Sequence, residues 1–420
     1  MVREPALRFT IPSLHDGLSL DCRIYHPASL AAINVRAASW KKQAAVVAHP
    51  YGPMGGCYDD GVLGSVAARL LGAGYLVGTF NFRGAGHSAG RTSWTARPER
   101  DDYASMVGFT AYYVHFLDAS AWPGRQDKEE ADADADADAD AEEPTTTTTT
   151  TATERRPLFA AGERPWLLMG GYSYGAMVTT QLPLVEELLS PFSSPEANSH
   201  AAQIRLRAQH LAEQQSLMLG GMRAAMLQVR NPRHAERRHS GEVRIGGEEG
   251  GPSPRRSHDG HGRSGMSLDA EDWIRAKRQG GASPTKHPGG EQEPQPERLP
   301  AVSHFVHPRP AYLLVSPLRG LVAHLATMSL LSAAGRSHSH DDAAEKKLVE
   351  NPTLAVFGDK DVFVPVGKLR TWAAGLSAGR GSRFTAWEVA GAGHFWAEEG
   401  VLQSMKERTK ASSKSLQAYR

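Results

Sequence analysis

Short apolar stretches alternate with helical patterns along much of this chain, and that alternation restricts the folds it can adopt. Most of these stretches are apolar without interruption, which is typical of strands buried on both faces of a parallel sheet. Strands joined through helices in this way favour an α/β fold with a mostly parallel central sheet and helices on both faces. The predicted strands are AAVVAHP from Ala44, YLVGTFNF from Tyr75, WLLMGG from Trp166, AYLLVSP from Ala311, TLAVFGD from Thr353 and RFTAWEVAG from Arg383.

The same patterns predict an opening hairpin and the helices between the strands. LRFTIPS and SLDCRIYHP flank His15-Asp16-Gly17 as the two arms of the hairpin. Residues 99–117 predict an amphipathic helix, and the helix after WLLMGG is expected to stop at Pro183. Further helices are predicted for residues 61–74, 320–331 and 366–376.

Two low-complexity segments interrupt this pattern. Residues 127–156 carry an acidic Ala-Asp repeat followed by a threonine tract, and residues 231–300 are rich in Arg, Gly, Ser, Pro and His. Neither segment has apolar periodicity, so burial cannot offset the entropy cost of ordering it, and we predict two long disordered insertions. The histidines of the second segment lack ligand spacing, so no metal site is predicted there.

Charge and cysteine content exclude several classes of function. The chain has 47 Lys and Arg against 46 Asp and Glu, a formal net charge of +1, which provides no strong field to attract nucleic acid or an anionic membrane. Cys22 and Cys57 are too few for a disulfide framework or a cysteine-based zinc site. No apolar run is long enough to span a bilayer and no signal-peptide pattern is present, so a cytoplasmic location is expected.

The stretch GGYSYGAM places Ser173 between two tyrosines, directly after a predicted strand and before a predicted helix. In that setting G-x-S-x-G is typical of a nucleophile elbow, a sharp turn that holds the serine in a strained backbone conformation. Gly171 and Gly175 let the strand and the helix pass closely. We therefore interpret Ser173 as a nucleophile, against the alternative of a polar residue in a Gly-rich turn.

A serine hydroxyl needs a base, and this motif is followed along the chain by an acid and then a histidine. Asp359 and Asp361 come at the end of the strand TLAVFGD, and His394 follows the last predicted strand in a Gly-rich loop. We expect His394 to be the base and Asp361 to orient it. Asp359 is the alternative acid, or it caps the next segment.

Two backbone N–H groups should stabilise the oxyanion of such a site. The residue after the nucleophile, Tyr174, is expected to supply one. The loop AHPYGPMGGCYDD, after an early strand, supplies the other from Tyr51, with Gly52 as the alternative. Gly52, Met54 and Tyr172 are the candidates for the substrate pocket.

A second Gly-rich loop, NFRGAGHSAG, follows the next strand. It lacks the Lys and Ser/Thr of a phosphate-binding P-loop, so nucleotide binding through that motif is excluded. We interpret Arg83 as a structural residue that forms hydrogen bonds beneath the site, and His87 as a surface residue.

These motifs together resemble those of the α/β-hydrolase superfamily, in particular a branch of small hydrolases with H-P-x-G-x-x-G-G, N-F-R-G-x-G-x-S-x-G, G-[FY]-S-[FY]-G and G-x-x-H-F-[FW]. The resemblance covers about residues 6–117, 165–182 and 310–402 and omits both low-complexity segments. It implies the α/β-hydrolase fold and a Ser173–Asp361–His394 triad that works without a metal ion or organic cofactor. It does not imply a substrate, since function depends on the site and not on the fold.

The predicted organisation is one α/β core divided by insertions. Residues 1–126 form its N-terminal half, 127–156 the acidic and threonine-rich insertion, 157–190 the segment of the nucleophile elbow, 191–300 a helix and then a disordered insertion, and 301–420 the C-terminal half with the acid and the histidine. The helix after residue 191, which Gly220-Gly221 is expected to interrupt, is either a lid over the site or a surface helix.

The function that these residues favour is hydrolysis of a carboxylic ester or thioester, with a small-molecule acyl compound as substrate and no nucleic-acid partner. Two alternatives remain open from sequence. One keeps the triad in a peptidase or an acyltransferase. The other is a non-catalytic interaction protein built on the same fold.

Overall fold

The computed structural model describes residues 4–30, 40–93, 95–117, 164–230, 297–319, 345–407 and 409. The low-complexity segments at 127–156 and 231–296 lie outside these residues, as does the helix predicted at 320–331. The predictions made for those segments remain predictions.

An eight-stranded sheet runs through the described part of the chain in the order β1-β2-β4-β3-β5-β6-β7-β8. The strands are β1 (Leu7–Pro12), β2 (Ser19–Tyr25), β3 (Ala44–Ala48), β4 (Leu76–Phe80), β5 (Trp166–Tyr172), β6 (Arg309–Val315), β7 (Thr353–Lys360) and β8 (Phe384–Gly393). β2 pairs antiparallel with β1 and β4, and all other neighbours pair in parallel. This is the α/β-hydrolase fold that the sequence predicts.

Helices cover both faces of this sheet. They are α1 (Gly61–Gly72), α2 (Arg97–Phe116), α3 (Tyr174–Gln181), α4 (Val185–Ser193), α5 (His200–Arg230) and α6 (Val366–Ser377). Further helical residues lie at 345–350 and 401–407, and single 3-10 turns at Ala28–Leu30 and Gly52–Met54. Among the described residues, no helix combines the length and the apolar character needed to cross a bilayer.

The strand β3 shows why the apolar runs have no polar alternation. Val46 belongs to an apolar cluster that also takes in residues of α2 to α6, whereas its neighbour Val47 belongs to a cluster with α1. Successive side chains of a strand point to opposite faces, so a strand with a core on each side must be apolar throughout.

The prediction of an amphipathic helix for α2 is wrong in one respect. Residues 102–114 are buried without a break, so the helix has no polar outer face over that length. The reason is a second layer of helices, because α4 and α5 both pack against α2. Phe192 of α4 lies where a side chain at Gly108 would be.

The long helix α5 runs without interruption through Gly220-Gly221, contrary to the predicted break. Its most extensive contacts with other elements are with α2, α4 and β1. Arg205 fixes it to α4, since its guanidinium donates hydrogen bonds to the carbonyls of Phe192 (3.1 Å) and Ser193 (2.9 Å) at the end of α4. The contacts place α5 beside the core, and a role as a lid stays a prediction.

Candidate active site

The turn between β5 and α3 consists of a single residue, Ser173. Its backbone has φ 55° and ψ −113°, a conformation that non-glycine residues rarely adopt and that functional sites hold under strain. Gly171 and Gly175 make the turn possible. A Cβ on Gly171 would collide with the main chain of Gly175, and one on Gly175 with the carbonyl oxygen of Ala48. The strand and the helix therefore pass at backbone contact.

Three buried side chains from distant parts of the sequence form one hydrogen-bonded chain at this turn. The Nε2 of His394 lies 2.8 Å from Oγ of Ser173, and its Nδ1 lies 2.7 Å from Oδ2 of Asp361. A carboxylate can only accept a hydrogen bond, so Nδ1 carries the ring proton and Nε2 is free to accept one from the serine hydroxyl.

Asp361 is itself fixed by the chain that follows it. Its Oδ1 accepts hydrogen bonds from the backbone N–H groups of Phe363 (2.9 Å) and Val364 (3.0 Å), which leaves Oδ2 for the histidine. The other candidate acid, Asp359, points elsewhere and accepts a hydrogen bond from the N–H of Gly391 at 2.7 Å. Of the two carboxylates, only Asp361 contacts His394.

The loop that carries His394 is attached to other strands by side chains. The hydroxyl of Tyr172 donates to the carbonyl oxygen of His394 at 2.9 Å. The indole N–H of Trp396 donates to Oγ of Ser316 at 3.0 Å. The ring of Phe363 packs edge-on against the imidazole, 4.6 Å between centroids. Tyr172 is 3% exposed and lies beneath the histidine loop. Its candidacy for the substrate pocket stays a prediction.

The loop predicted to supply the second oxyanion donor is held by a histidine that sequence reasoning did not single out. His49 is fully buried. Its Nδ1 lies 2.5 Å from the carbonyl oxygen of Pro50, and its Nε2 accepts a hydrogen bond from the N–H of Phe82 at 2.9 Å. The carbonyl must accept, so His49 is neutral with its proton on Nδ1. Burial lowers its pKa to about 4, which keeps it so at neutral pH.

This contact fixes the direction of one peptide group. The C=O of Pro50 and the N–H of Tyr51 belong to the same trans peptide and point in opposite directions. Holding the oxygen on His49 therefore directs the Tyr51 N–H away from His49. Within the described residues, neither the Tyr51 N–H nor the Tyr174 N–H donates to another backbone group. Their rings are neighbours, 5.2 Å between centroids.

The two remaining pocket candidates lie in the 3-10 turn after Tyr51. Met54 is 66% exposed. Gly52 packs close to Ala85 of the neighbouring Gly-rich loop, since a Cβ on Gly52 would come within 3.2 Å of Cβ of Ala85. The side chain of Met54 is therefore open to solvent, and the absence of a side chain at Gly52 allows the two loops to approach closely. Both residues stay candidates for the substrate pocket.

The interpretation of Arg83 as a structural residue agrees with its contacts. Its guanidinium binds both oxygens of buried Asp102, at 3.0 and 2.7 Å, and also binds Asp16 at 2.9 Å. These ion pairs join the Gly-rich loop to α2 and to the turn of the hairpin. His87, in the same loop, is exposed as predicted.

A buried lysine holds the other end of α3. Lys347 donates to the carbonyl oxygens of Thr179, at 3.1 Å, and Leu182, both in or after the last turn of the helix. Burial, and then the charge of Arg100, lower its pKa to about 7. Nothing in the sequence around Lys347 indicates this role, because the helix it caps lies more than 160 positions earlier.

Other features of the described residues lie apart from this constellation. A cavity of about 490 Å³ is bordered by α2, α4 and the end of α3, and none of its lining residues is a predicted site residue. No group of three or more His, Cys, Asp or Glu side chains in the described ranges is arranged to hold a metal ion.

The comparisons with known proteins give structural matches only. No protein-family model and no curated protein matches the sequence. An α/β serine hydrolase without a lid from Xanthomonas campestris is 13% identical, with a TM-score of 0.42, over 99% of this chain and 97% of that one. An α/β serine hydrolase homologue from Coxiella burnetii is 12% identical, with a TM-score of 0.40, over 98% and 99%.

A third similar structure is an esterase from Pyrococcus furiosus. It is 11% identical, with a TM-score of 0.40, over 97% of this chain and 90% of that one. Because these identities and TM-scores are low, the fold is assigned from the strand order of the sheet. The site is described from the positions of its own residues.

Proposed function

We propose that this protein is a serine hydrolase that cleaves a carboxylic ester or thioester through Ser173, His394 and Asp361. The observation that carries the proposal is the unbroken chain of hydrogen bonds from Ser173 Oγ through both imidazole nitrogens to Asp361 Oδ2. Its three members meet at a turn where the backbone of Ser173 has a conformation that functional sites hold under strain.

In the first half of the proposed reaction, Ser173 Oγ attacks the carbonyl carbon of the substrate and its proton passes to Nε2 of His394. The carbonyl oxygen becomes the oxyanion of a tetrahedral intermediate. His394 then gives that proton to the leaving alcohol or thiol, the C–O or C–S bond breaks, and the acyl group stays on Ser173. Asp361 stabilises the imidazolium through Nδ1.

In the second half, water replaces the alcohol. His394 takes a proton from the water, whose oxygen attacks the acyl carbon, and returns it to Ser173 Oγ as the acid leaves. The net change is consumption of one water with release of an acid and an alcohol or thiol. No metal ion or organic cofactor takes part in these steps.

The backbone N–H groups of Tyr174 and Tyr51 are the proposed donors to the oxyanion. Tyr174 is the first residue of α3, where the N–H groups are unpaired and the helix dipole favours negative charge. The Tyr51 N–H is directed by the contact of Pro50 with His49. Two such donors typically supply a large part of the rate enhancement.

Labelling with a fluorophosphonate probe tests the nucleophile. The wild-type protein should form a covalent adduct at Ser173, and Ser173→Ala should not react. His394→Ala should react far more slowly, because the serine loses its base. No adduct on the wild type, or equal labelling of Ser173→Ala, overturns the proposal and leaves the non-catalytic alternative.

The bond that is cleaved can then be determined with matched substrates. Esters of p-nitrophenol with short and long acyl chains, the corresponding thioesters, and p-nitroanilides are hydrolysed in parallel with wild-type protein and Ser173→Ala. The proposal expects turnover of esters or thioesters to exceed that of anilides. Preferred cleavage of anilides favours the peptidase, and preferred transfer to an added alcohol over water favours the acyltransferase.

A further inference from the structure

The dipeptide Tyr172-Ser173 contacts His394 at two separate points. Ser173 bonds the imidazole through Oγ and Nε2, at 2.8 Å. Tyr172 bonds the main chain of the same residue, because its hydroxyl donates to the His394 carbonyl oxygen at 2.9 Å. Both hydrogen bonds are buried. Two consecutive residues of the chain therefore hold the side chain and the backbone of the histidine.

Two other side-chain hydrogen bonds hold the flanks of this loop. Asp359 holds the N–H of Gly391, three positions before the histidine, and Ser316 holds the side chain of Trp396, two positions after it. In the described structure, the Tyr172 hydroxyl is the side-chain group that bonds to the main chain of His394. Tyr172 thus links the loop backbone to the end of β5, the strand that leads into Ser173.

We propose that Tyr172 is a positioning residue, which holds the His394 main chain so that Nε2 stays within hydrogen-bonding distance of Ser173 Oγ. The inference rests on the proposed function, since it concerns the same site. It assigns Tyr172 a part in the chemical step, through His394, instead of a part in substrate binding.

The physical basis is the precision that proton transfer needs. A base works only within hydrogen-bond reach of the proton it takes, and a displacement of about 1 Å can reduce a rate about a hundredfold. Burial raises the pKa of Tyr172, so its hydroxyl keeps its proton and remains a donor at any pH the protein meets. Removing the hydroxyl leaves the carbonyl of His394 buried without its partner, and the loop is then free to shift.

Tyr75 provides a matched control. It is fully buried in the same apolar cluster as Tyr172, and its hydroxyl has no hydrogen-bond partner among the residues that the structure describes. It precedes β4 and so lies at the amino end of the parallel strands, whereas Ser173 follows the carboxyl end of β5. Tyr172→Phe and Tyr75→Phe both delete one buried hydroxyl from this cluster, but only the first deletes a contact to the histidine loop.

The test measures the rate of fluorophosphonate labelling, and kcat and KM for the best p-nitrophenyl ester, in wild type and in both variants. Tyr172→Phe should lower the labelling rate and kcat about tenfold with little change in KM. Tyr75→Phe should stay within about twofold in every parameter. Tyr172→p-aminophenylalanine, which keeps a donor at that position, should recover most of the loss. Rates are compared at temperatures where circular dichroism shows each variant folded.

The outcomes separate this inference from the proposed function. If the wild-type protein does not label, both the proposed function and the positioning role of Tyr172 are overturned. A wild type that labels, together with a Tyr172→Phe variant that reacts at the wild-type rate, overturns the positioning role alone. Equal losses in Tyr172→Phe and in Tyr172→p-aminophenylalanine also overturn it, because the effect would then come from the ring and not from the donated hydrogen bond.

Discussion

The turn at Ser173 and the loop at His394 meet in one hydrogen bond, yet they are held in opposite ways. The turn is shaped by close backbone contact, with Gly171 against the main chain of Gly175 and Gly175 against Ala48. The histidine loop is shaped by side-chain hydrogen bonds that come from other strands, notably from Tyr172 and Asp359.

The difference determines how each region tolerates change. Backbone contact leaves no room for an additional atom, so the turn should fail completely when it is altered. Separate side-chain bonds each hold part of the loop, so the loss of one should reduce activity by a limited factor.

The largest expected effect is therefore that of Gly175→Ala. Its Cβ would collide with the carbonyl oxygen of Ala48, a main-chain atom that cannot move aside without disturbing β3. We expect a loss of about 3 kcal/mol or more in the free energy of unfolding. Labelling at Ser173 should disappear. Urea denaturation and fluorophosphonate labelling measure the two effects.

Gly375→Ala is the control for that change. Gly375 lies inside α6, and a Cβ there meets no atom within 4 Å. The variant should gain about 0.5 to 1 kcal/mol from the better helix propensity of alanine, with unchanged labelling. If Gly175→Ala proves as stable and as reactive as Gly375→Ala, backbone contact does not shape the turn.

The same difference explains what the sequence could predict. The turn is local, so G-x-S-x-G between an apolar run and a helical run was sufficient to locate it. The parallel sheet also followed from local patterns, because the apolar runs of β3, β4 and β5 are buried along their whole length. The order of its strands was not predicted. The attachments of the histidine loop join positions such as Tyr172 and His394, which are 222 residues apart. No spacing along the chain encodes that contact.

Two further features were not predicted from the sequence, for the same reason. The role of His49 depends on Phe82, which is adjacent only after β3 and β4 pair. The burial of α2 on both sides depends on α4 and α5, which follow it after a long insertion. In each case the partner comes from a distant segment, which a local pattern does not reveal.

The second expected effect distinguishes Asp361 from Asp359 as the acid of the triad. In Asp361→Asn the amide oxygen can still accept from Phe363 and Val364, while the amide nitrogen faces Nδ1 of His394 and repels its proton. We expect kcat to fall about 10³- to 10⁴-fold, as when the acid of a triad is made neutral. Steady-state kinetics on the best ester measures it.

Asp359→Asn is the matched variant, since its amide oxygen can still accept from Gly391. Its kcat should remain within about threefold of wild type, because the change retains the bond that holds the loop. A larger loss in Asp359→Asn than in Asp361→Asn would assign the triad acid to Asp359.

The third effect concerns the loop at Tyr51, which is proposed to supply the second oxyanion donor. The side chain of His49 holds this loop, whereas the proposed donor is a backbone N–H group. His49→Phe keeps a ring of similar size and removes the bonds to Pro50 and Phe82. With the Tyr51 N–H no longer directed, kcat should fall about a hundredfold and KM should change little. His87→Ala, an exposed change in a neighbouring loop, should leave both within about twofold. An unchanged kcat in His49→Phe would mean that the Tyr51 N–H is not an oxyanion donor.

The last prediction tests whether the turn at Ser173 also depends on a distant side chain. Lys347 binds the carbonyls at the end of α3, and its pKa is lowered from 10.5 to about 7, first by burial and then by Arg100. Between pH 7 and 10.5 the unfolded chain binds a proton on this lysine that the folded protein does not bind. The free energy of unfolding should therefore rise with pH in that window, by at most about 1.4 kcal/mol per pH unit. Lys347→Met should lack this rise, so the difference between the two proteins in urea denaturation should widen from pH 7 to pH 10. If the free energies of unfolding of the two proteins change in parallel with pH, Lys347 is charged in the folded state. The end of α3 is then held by a full positive charge.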